Sequence, residues 1–412
     1  MMNIIDDLKK RGVFKQISNY DKFLNIPQGS GVYVGFDPTA DSLHLGNYIQ
    51  IINLLRFKKY GYQIIAILGG TTGMIGDPSF RDSERVLLNE EQINFYKAKI
   101  KAQLEKFGFK VIDNYDFYKD MSVIDFLRNV GKLVNVAYIL SKDSITSRIE
   151  KGLSFTEFSY QLIQGWDFVQ LYKNHNVKLQ FGGSDQWGNI TTGLDMISTI
   201  FGQQHQAVAL TSQLLTDSNG QKFGKSTGGG NNWLSKDKTK PYDLYQFLLN
   251  QPDSEVEKLL KWLTFIEVEE IEQLMKKHFE APFLKLAQKT LAFEVVKDIH
   301  SEQDAKNSVN ISEILFNKKL NLNNFTVEDI QNIQNELKTL FVDKNSNLVD
   351  FLIENKILKS KREAREFIQV NSLKVNLEPI KEDFLMHSKF FDNRYAFLNI
   401  GKKQFYLIKI TK

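Results

Sequence analysis

Glycine is confined almost entirely to one part of this 412-residue chain: 24 of its 25 glycines lie at or before Gly230, and the only later one is Gly401. Glycine marks tight turns and places where a backbone approaches a ligand closely, so the chain is predicted to be built differently on either side of residue 230. The first part alternates short β-branched runs, such as residues 64–68 and 177–181, with helical patterns. That alternation predicts an α/β domain with a Rossmann-like parallel sheet over residues 1–230.

The remainder divides into a helical stretch and a small tail. Few prolines, no glycine and apolar residues at helical spacing predict an all-helical domain over residues 231–341. Residues 342–347 are polar and aperiodic, which predicts a linker at the start of a tail that spans 342–412. In the tail, a helix at 348–356 and a second helix with a capping box at 360–363 precede strands near 373–375 and 405–410, so a small α+β domain is expected.

The positive charge is concentrated in this tail. From Ser346 to Lys412 there are 13 Lys and Arg against 8 Asp and Glu, an excess of +5, so the other residues carry −1 of the total of +4. A basic terminal module on a near-neutral body suits binding to a phosphate backbone. We therefore expect RNA binding through the second tail helix, at Lys361, Arg362 and Arg365. A solvated surface, or a capping or dimerising module, would have the same composition.

Composition excludes several classes of site and protein. The chain has no cysteine, so disulfides, thiolate catalysis and cysteine zinc sites are excluded. Its 42% apolar and 25% charged residues are typical of a folded globular protein. No apolar run approaches the roughly 18 residues of a membrane span, and the start has no signal-peptide core. We expect a cytoplasmic protein without a metal held by its own side chains.

The first segment that carries chemistry is residues 31–47, GVYVGFDPTADSLHLGN. It predicts a strand, a turn and the start of a helix. Such a turn presents free backbone N–H groups and the positive end of the helix dipole at the carboxyl edge of the sheet, where doubly wound folds bind nucleotides. Gly46 would let a nucleotide approach the backbone closely.

Two further glycine-rich segments carry cations. Residues 69–78 follow a predicted strand and precede Arg81 and Arg85, but they match neither a Walker A loop nor a dinucleotide fingerprint. They are a candidate phosphate-side loop, with a tight structural turn as the alternative. Residues 222–230, KFGKSTGGG, place Lys222 and Lys225 on a loop that could close over a polyphosphate, although a domain linker would look similar.

Residues 154–168, SFTEFSYQLIQGWDF, predict a helix that opens with a capping box. Tyr160, Gln164 and Asp167 lie at positions i, i+4 and i+7, within about 60° of one another around the helix axis. The other residues are largely apolar and aromatic, so this polar stripe is predicted to be buried and to need partners. A polar ligand would supply them; a solvent-facing stripe is the alternative.

In this order the segments resemble the signatures of class I aminoacyl-tRNA synthetases, with HLGN for the His-x-Gly-His signature and KFGKS for the lysine-containing one. YVGFDPTADSLHLGN, GGTTGMIGDPS, SFTEFSYQLIQGWDF and GGSDQWGN closely resemble the bacterial tyrosyl-tRNA synthetase family, and the similarity runs over essentially the whole chain. The resemblance implies a catalytic domain, a helical anticodon-side domain and an RNA-binding tail. It also implies a ligase that uses tyrosine, ATP with Mg²⁺ and tRNA(Tyr), and that forms a homodimer.

The resemblance also assigns the substrate-binding residues. It places Tyr33 and Asp167 at the phenolic hydroxyl of tyrosine, and Gln186 at its carboxylate. The ammonium would be bound by Asp77, Tyr160 and Gln164. Carboxylate and amide acceptors suit an ammonium, and a Tyr/Asp pair can both donate to and accept from a phenol.

For the ATP half of the site, the resemblance implies that the substrate carboxylate attacks the α-phosphate and pyrophosphate leaves. No protein base is then needed, so position and charge carry the catalysis. Residues expected at ATP are Asp37, Thr39, His44, Gly46, Asn47, Asp185 and Lys225. Residues expected at the departing pyrophosphate are Arg81, Arg85, Lys222 and Lys225.

Two positions depart from the pattern of the family. Asn47 stands where a second histidine is common; its amide can donate a hydrogen bond but cannot become cationic. Arg81 stands at a position where related sequences can carry lysine. Arginine there keeps the positive charge but changes the hydrogen-bonding geometry. We still expect an active enzyme. The rival interpretations are a tryptophanyl enzyme, a small nucleotidyltransferase, and a degenerate synthetase kept as an RNA-binding protein.

Overall fold

The computed structural model describes residues 3–77, 79, 88–142, 145–146, 149, 152–216, 223, 231–316, 321–334, 337–401 and 404–411. The chain divides into two compact units. The first comprises Met1–Thr239 and Gln251–Leu291, and the second comprises Lys240–Asn250 and Ala292–Lys412. The three-domain division expected from the sequence stays a prediction.

The first unit is organised by a six-stranded sheet. Its strands are β1 (Phe14–Ile17), β2 (Gly31–Phe36), β3 (Gln63–Leu68), β4 (Lys110–Asp113), β5 (Val177–Gly183) and β6 (Val208–Ser212). They lie in the order β1-β6-β5-β2-β3-β4, and every neighbouring pair is parallel except β1 with β6. The chain runs outward from β2 through β3 to β4 and returns to place β5 on the other side of β2. The carboxyl ends of β2 and β5 therefore border a topological switch point, where open α/β sheets bind ligands.

Helices connect and cover these strands. They are α1 (Ile4–Lys10), α2 (Tyr20–Leu24), α3 (Leu45–Lys59), α4 (Thr72–Ile75), α5 (Glu90–Lys106), α6 (Val123–Asn129), α7 (Val136–Leu140), α8 (Phe155–Asn174) and α9 (Trp187–Phe201). The helix predicted from residue 154 is α8, and its capping box is present, with the Ser154 hydroxyl accepting from the Glu157 N–H at 3.2 Å. The two strands predicted at 64–68 and 177–181 are β3 and β5.

Helices α8 and α9 pack closely through glycine. A Cβ at Gly165 would lie 3.1 Å from Met196 Sδ and 3.3 Å from the Gly193 nitrogen, so a larger residue would push the helices apart. This packing places the buried face of α8 against a core that contains Tyr33, Phe168 and Met196. The α/β architecture with a mainly parallel sheet is confirmed.

Two further helices belong to the first unit, α11 (Asp253–Leu263) and α12 (Val268–Glu280). Buried Arg56 on α3 binds the end of α11: its Nη2 donates to the carbonyls of Lys261 at 3.0 Å, Trp262 at 3.0 Å and Thr264 at 2.9 Å. The last carbonyls of a helix lack partners within the helix, and a cation there also complements the helix dipole. Burial, followed by the neighbouring positive charge of Arg11, lowers the pKa of Arg56 to about 9, so the guanidinium remains charged at neutral pH.

The second unit contains helices and a five-stranded sheet. Its helices are α10 (Pro241–Leu249), α14 (Glu302–Phe316), α15 (Val327–Ile333), α16 (Leu348–Glu354) and α17 (Lys361–Gln369), while α13 (Leu286–Ile299) crosses the boundary between units. Its strands are β7 (Thr339–Asp343), β8 (Leu373–Val375), β9 (Glu378–Pro379), β10 (Tyr395–Ile400) and β11 (Gln404–Thr411), in the order β7-β11-β10-β8-β9. The expected small α+β C-terminal region is confirmed.

The linker predicted at 342–347 is wrong at its start. Val342 and Asp343 belong to β7, which pairs in parallel with β11 and places Val342 in the core beside Leu348 and Ile408. A short strand with one buried position leaves only a weak alternation in the sequence, which does not distinguish it from a polar connection. At Ser360 the hydroxyl accepts from the Glu363 N–H at 3.3 Å, while the Glu363 carboxylate accepts from the Lys359 N–H.

No helix within the described ranges combines the length and the apolar character that a membrane-spanning helix needs.

Replacing Arg56 by methionine is expected to destabilise the first unit. Methionine keeps much of the volume but removes the donor of the Trp262 carbonyl and of Asn53 Oδ1, both of which are buried. The carbonyls of Lys261 and Thr264 still accept from Arg11 Nη1, at 3.3 and 3.5 Å. Each orphaned buried group costs about 1–3 kcal/mol. We expect the free energy of unfolding to fall by about 3 kcal/mol or more, measured from the first transition in urea. The control is Lys58→Met on the exposed face of the same helix. Equal midpoints for the two variants would show that the Arg56 contacts contribute nothing.

Candidate active site

A cavity of about 400 Å³ opens at the carboxyl ends of β2 and β5. Its wall combines the end of β2, the turn into α3, the polar face of α8 and the loop after β5. Twelve of the residues predicted from the sequence to contact substrates line it: Tyr33, Asp37, Thr39, His44, Gly46, Asn47, Asp77, Tyr160, Gln164, Asp167, Asp185 and Gln186. The structure thus brings together segments that are separated by up to about 150 positions in the chain.

Four predicted residues cannot be placed in this cavity. Arg81, Arg85, Lys222 and Lys225 lie outside the described residues, so their assignment to pyrophosphate stays a prediction.

Asp167 and Tyr33 form the deep end of the cavity. Both side chains are buried, and the pKa of Asp167 is raised to about 7, chiefly by that burial. Its carboxylate accepts hydrogen bonds from Asn114 Nδ2 at 2.9 Å and from the Tyr118 hydroxyl at 2.8 Å, and both lower the pKa. Burial and then the nearby Asp167 raise the pKa of Tyr33 well above 10. This end can exchange hydrogen bonds with a polar group at the tip of a flat ligand.

The Tyr33 hydroxyl is buried and has no hydrogen-bond partner among the described residues. An unpaired buried hydroxyl costs free energy that a ligand group or a water can recover. Phe168 packs against the Tyr33 ring with 5.4 Å between ring centroids, which holds the hydroxyl at the cavity wall. Tyr33 therefore stands ready to contact a polar group brought in by a ligand.

Asp37 is fixed at the middle of the cavity by two hydroxyl donors. Thr72 Oγ1 donates to Oδ1 at 2.7 Å, and the Tyr160 hydroxyl donates to Oδ2 at 3.0 Å. A Cβ at Gly69 would lie 2.1 Å from Asp37 Oδ1, so glycine is required for the carboxylate to occupy this position. These contacts join the end of β2 to α4 and α8 around one negative charge.

Asp77 accepts hydrogen bonds from a network of side-chain amides. Gln186 Nε2 donates to Asp77 Oδ2 at 2.7 Å, and Asn189 Nδ2 lies 3.1 Å from Gln164 Oε1 and 3.2 Å from Gln186 Oε1. The Asp77 carboxylate and the amide oxygens of Gln164 and Gln186 group hydrogen-bond acceptors on one polar surface of the cavity. Such a surface can bind a compact cation such as an ammonium group.

The signature at His44 begins α3. His44 is the N-cap residue: its Nδ1 accepts from the Asn47 N–H at 3.3 Å, and Asn47 Oδ1 accepts from the His44 N–H at 3.0 Å. A Cβ at Gly46 would lie 2.8 Å from the His44 ring, so this glycine makes room for the imidazole. Asn47, which stands in place of the second histidine of the signature, thus caps the N-terminus of α3 together with His44.

Several residues at the site were not predicted from the sequence. Asn114 and Tyr118 hold Asp167 from behind, Asn189 joins the amide network, and the buried Gln180 lines the cavity with its Oε1 unpaired among the described atoms. A signal existed for Gln180, because a buried parallel strand rarely carries an amide between Leu179 and Phe181. Asn114 begins a short 3-10 helix (Asn114–Phe117) and Tyr118 follows its end, and four residues are too few to leave a periodic signal.

The three residues predicted to bind RNA lie in or beside α17, on the surface of the second unit. Arg365 forms a two-pronged ion pair with Glu382, at 2.8 and 3.0 Å. Lys361 pairs with Asp350 at 2.8 Å, and Arg362 pairs with Glu366 at 3.3 Å. All three cations are exposed, so a polyanion could reach them.

Comparison with known proteins agrees with this arrangement. Residues 28–317 match the model of the tRNA synthetases class I (W and Y), and residues 329–408 match the tyrosine–tRNA ligase SYY-like C-terminal domain. The chain is 60% identical to the tyrosine–tRNA ligase of Mycoplasmopsis synoviae over 410 residues, which is 100% of both chains. It is 54% identical to that of Mycoplasmopsis agalactiae, covering 99% of this chain and 100% of the relative.

A solved structure has the same fold. The C-terminally truncated mitochondrial tyrosyl-tRNA synthetase of Aspergillus nidulans superposes with a TM-score of 0.69 at 29% identity, covering 77% of this chain and 95% of its own. The matched family model covers more than half of the chain, and the similarity to the relatives extends over its whole length. The chain therefore belongs to the class I tRNA synthetases of the tryptophanyl and tyrosyl (W and Y) family.

Proposed function

We propose that this protein is a tyrosine–tRNA ligase. It activates L-tyrosine with ATP to tyrosyl-adenylate and pyrophosphate, and then transfers the tyrosyl group to the 3′ end of tRNA(Tyr). The observation that carries the proposal is the deep end of the cavity, where a buried carboxylate, Asp167, and a buried phenol without a described partner, Tyr33, both line the wall and the charge of Asp167 acts on Tyr33. A substrate phenol can donate to Asp167 and accept from Tyr33, so both buried groups gain a partner. The indole of tryptophan has a donor and no acceptor, which leaves Tyr33 unpaired.

The other groups of the amino acid fit the middle of the cavity. The ammonium is placed against Asp77, Tyr160 and Gln164, because these supply a carboxylate and neutral acceptors. Gln186 donates an amide hydrogen toward Asp77 in the free protein, and the same amide can turn to the substrate carboxylate. The substrate is then held at both ends with its carboxylate directed toward the turn before α3.

ATP is assigned to the turn between β2 and α3. Thr39, His44 and the N-terminus of α3 face the phosphates, with Gly46, Asn47, Asp37 and Asp185 around the nucleotide. Arg81, Arg85, Lys222 and Lys225 are assigned to the leaving pyrophosphate by their place in the family signatures. Mg²⁺ is expected with ATP, since this ion commonly binds through substrate phosphates and only one or two carboxylates. The residues of this chain position the two substrates and stabilise the negative charge that develops on the phosphates during the reaction.

The alternative of a degenerate synthetase kept only for RNA binding has little support. Twelve residues that the resemblance assigns to tyrosine and the nucleotide line the cavity, and the relatives at 60% and 54% identity are named tyrosine–tRNA ligases.

For the tail, we propose RNA binding by Lys361, Arg362 and Arg365, in a C-terminal RNA-binding domain over residues 342–412 that follows a helical anticodon-side domain over 231–341. Exposed ion pairs are worth only about 0–1 kcal/mol, so a phosphate can replace the carboxylate partner at little cost. The two-pronged geometry of Arg365 also suits a phosphate group.

We further propose a homodimer formed through the first unit. Among the described residues, seven exposed large apolar side chains lie between residues 123 and 155: Val123, Ile124, Leu127, Val136, Tyr138, Ile149 and Phe155. Val123 and Phe155 are 74% and 71% exposed. Apolar side chains grouped at a surface mark contacts between proteins.

The adenylation reaction provides the first test. Exchange of pyrophosphate into ATP is expected with tyrosine and with no other amino acid. In Asp167→Ala, kcat/KM for tyrosine is expected to fall by about a hundredfold or more, because the phenol loses a charged partner in a dry site. Asp120→Ala, at an exposed position of the same region, is the control. A folded wild type that shows no exchange with any amino acid would exclude the enzyme.

The tail is tested by Arg365→Ala. Binding of tRNA(Tyr) is expected to weaken several-fold, and the slope of log Kd against log salt is expected to change by about 1, since one phosphate contact is lost. Tyrosine-dependent exchange should be unchanged. Lys306→Ala, an exposed cation paired with Glu302, is the control. An identical salt slope in Arg365→Ala and wild type would rule out a phosphate contact at this residue.

The subunit contact is tested by Ile124→Asp. A charge in an apolar contact is expected to shift the protein from a dimer to a monomer of 47.6 kDa in sedimentation equilibrium. The control is Phe283→Asp, which alters an apolar side chain that is 83% exposed elsewhere. A wild type that sediments as a monomer contradicts the proposal, as does a variant that remains dimeric.

A further inference from the structure

Tyr118 lies immediately behind the carboxylate at the deep end of the cavity. Its hydroxyl oxygen is 2.8 Å from Asp167 Oδ1 and 2.7 Å from the Ile163 carbonyl oxygen, one turn earlier on α8. Among the described residues that line the cavity, Asp167 is present and Tyr118 is not. Tyr118 therefore acts on a ligand indirectly, and its hydrogen bond to Asp167 is the contact that links it to the cavity wall.

The Tyr118 hydroxyl has one proton to donate but lies within hydrogen-bond distance of two acceptors, Asp167 Oδ1 and the Ile163 carbonyl oxygen. When Asp167 is ionised, Tyr118 donates to the carboxylate, and its oxygen meets the Ile163 carbonyl without a proton between them. When Asp167 is protonated, the acid can donate to the Tyr118 oxygen, and Tyr118 can donate to Ile163. The same oxygen positions thus accommodate both protonation states with different directions of donation.

Asn114 restrains the other carboxylate oxygen. Its Nδ2 donates to Asp167 Oδ2 at 2.9 Å, while its own Oδ1 accepts from the Thr71 N–H at 2.7 Å, which fixes the orientation of the amide. A carboxylate has about four lone-pair positions. With one position on each oxygen occupied from behind, the remaining ones are available to a group in the cavity.

We propose that Tyr118 is a positioning residue for recognition of the substrate's phenolic hydroxyl. It holds the Asp167 carboxylate in the orientation that accepts from this hydroxyl, and its proton keeps the carboxylate ionised when the substrate donates to it. This inference rests on the proposed function as a tyrosine–tRNA ligase. It assigns part of the preference for tyrosine over phenylalanine to a residue that does not touch the substrate.

The groups around Asp167 determine how much its ionisation depends on the Tyr118 hydroxyl. The titratable groups that act on it are Tyr33 on β2, Asp37 after β2, Asp113 at the end of β4, and Tyr118 itself. Burial and the two aspartates disfavour the ionised form, whereas the Asn114 and Tyr118 hydrogen bonds favour it. Removing the Tyr118 hydroxyl therefore raises the pKa of Asp167 further above about 7, and a smaller fraction is ionised at neutral pH.

A purely structural role for Tyr118 can be separated from this one. Its ring packs near Phe126, with 6.5 Å between centroids, and this contact needs no hydroxyl. Phenylalanine at position 118 keeps the ring and removes only the oxygen. Tyr115→Phe is the matched control, because it removes the same atom from an exposed tyrosine of the adjacent turn.

The experiment measures tyrosine-dependent and phenylalanine-dependent pyrophosphate exchange between about pH 6 and pH 9 in wild type, Tyr118→Phe and Tyr115→Phe. In Tyr118→Phe, KM for tyrosine is expected to rise about tenfold with kcat within about twofold, the scale of one hydrogen bond to a charged group. The preference for tyrosine over phenylalanine should narrow by a similar factor. The inflection of kcat/KM with pH should move upward, while Tyr115→Phe behaves as wild type.

A second measurement covers the case in which Tyr118→Phe does not fold. Incorporation of 3-fluorotyrosine at position 118 keeps ring and hydroxyl and makes the phenol a stronger donor, so the inflection is expected to move downward in pH. Two results would overturn this inference while wild-type exchange with tyrosine upholds the ligase. One is a folded Tyr118→Phe variant in which KM for tyrosine, the preference for tyrosine over phenylalanine and the inflection of kcat/KM with pH are all unchanged. The other is an inflection that does not move with the fluorinated residue. Absence of exchange in the wild type would instead remove the proposed function itself.

Discussion

The site depends on the parallel pairing of β2 with both β3 and β5. Parallel strands end at the same edge of a sheet, and the reversal of strand order beside β2 leaves a gap between the connections that leave β2 and β5. The turn into α3 borders this gap on one side, and the loop after β5 borders it on the other. Helix α8 supplies the polar stripe that lines the deep end, through Tyr160, Gln164 and Asp167.

Four carboxylates line the cavity, those of Asp37, Asp77, Asp167 and Asp185, and the surroundings of the first three differ. Asp37 receives two hydroxyl donors, and Asp77 receives an amide. Asp167 is buried, so its two donors only partly offset the loss of hydration, and its pKa remains near 7. Because folding raises this pKa from 3.8, the protonated form is favoured by folding. The contribution of Asp167 to the free energy of unfolding is therefore present at low pH and is lost as the pH rises through about 7.

Local patterns in the sequence identified what a short segment determines by itself. The polar stripe of α8 was predictable because Tyr160, Gln164 and Asp167 share a helix face, and the capping box marked where that helix begins. The partners of Asp167 were not predictable in this way, since Asn114 and Tyr118 lie 53 and 49 positions away, in a 3-10 turn too short to carry a periodic pattern. Arg56 is similar: a buried arginine within an apolar helix pattern acquires its meaning only from carbonyls more than 200 positions later.

The tail shows the same limit for electrostatics. The sequence establishes an excess of basic residues, but on the folded surface Lys361, Arg362 and Arg365 each lie against a carboxylate. Net charge therefore overstates the free positive charge on α17. Arg362 is 90% exposed and its partner 64% exposed, so solvent screens this pair strongly and it holds the guanidinium only weakly. An RNA backbone presents many phosphates to these cations at once, whereas each cation has a single carboxylate partner that competes with a phosphate. The acidic partners thus orient the cations on the surface without preventing their transfer to a polyanion.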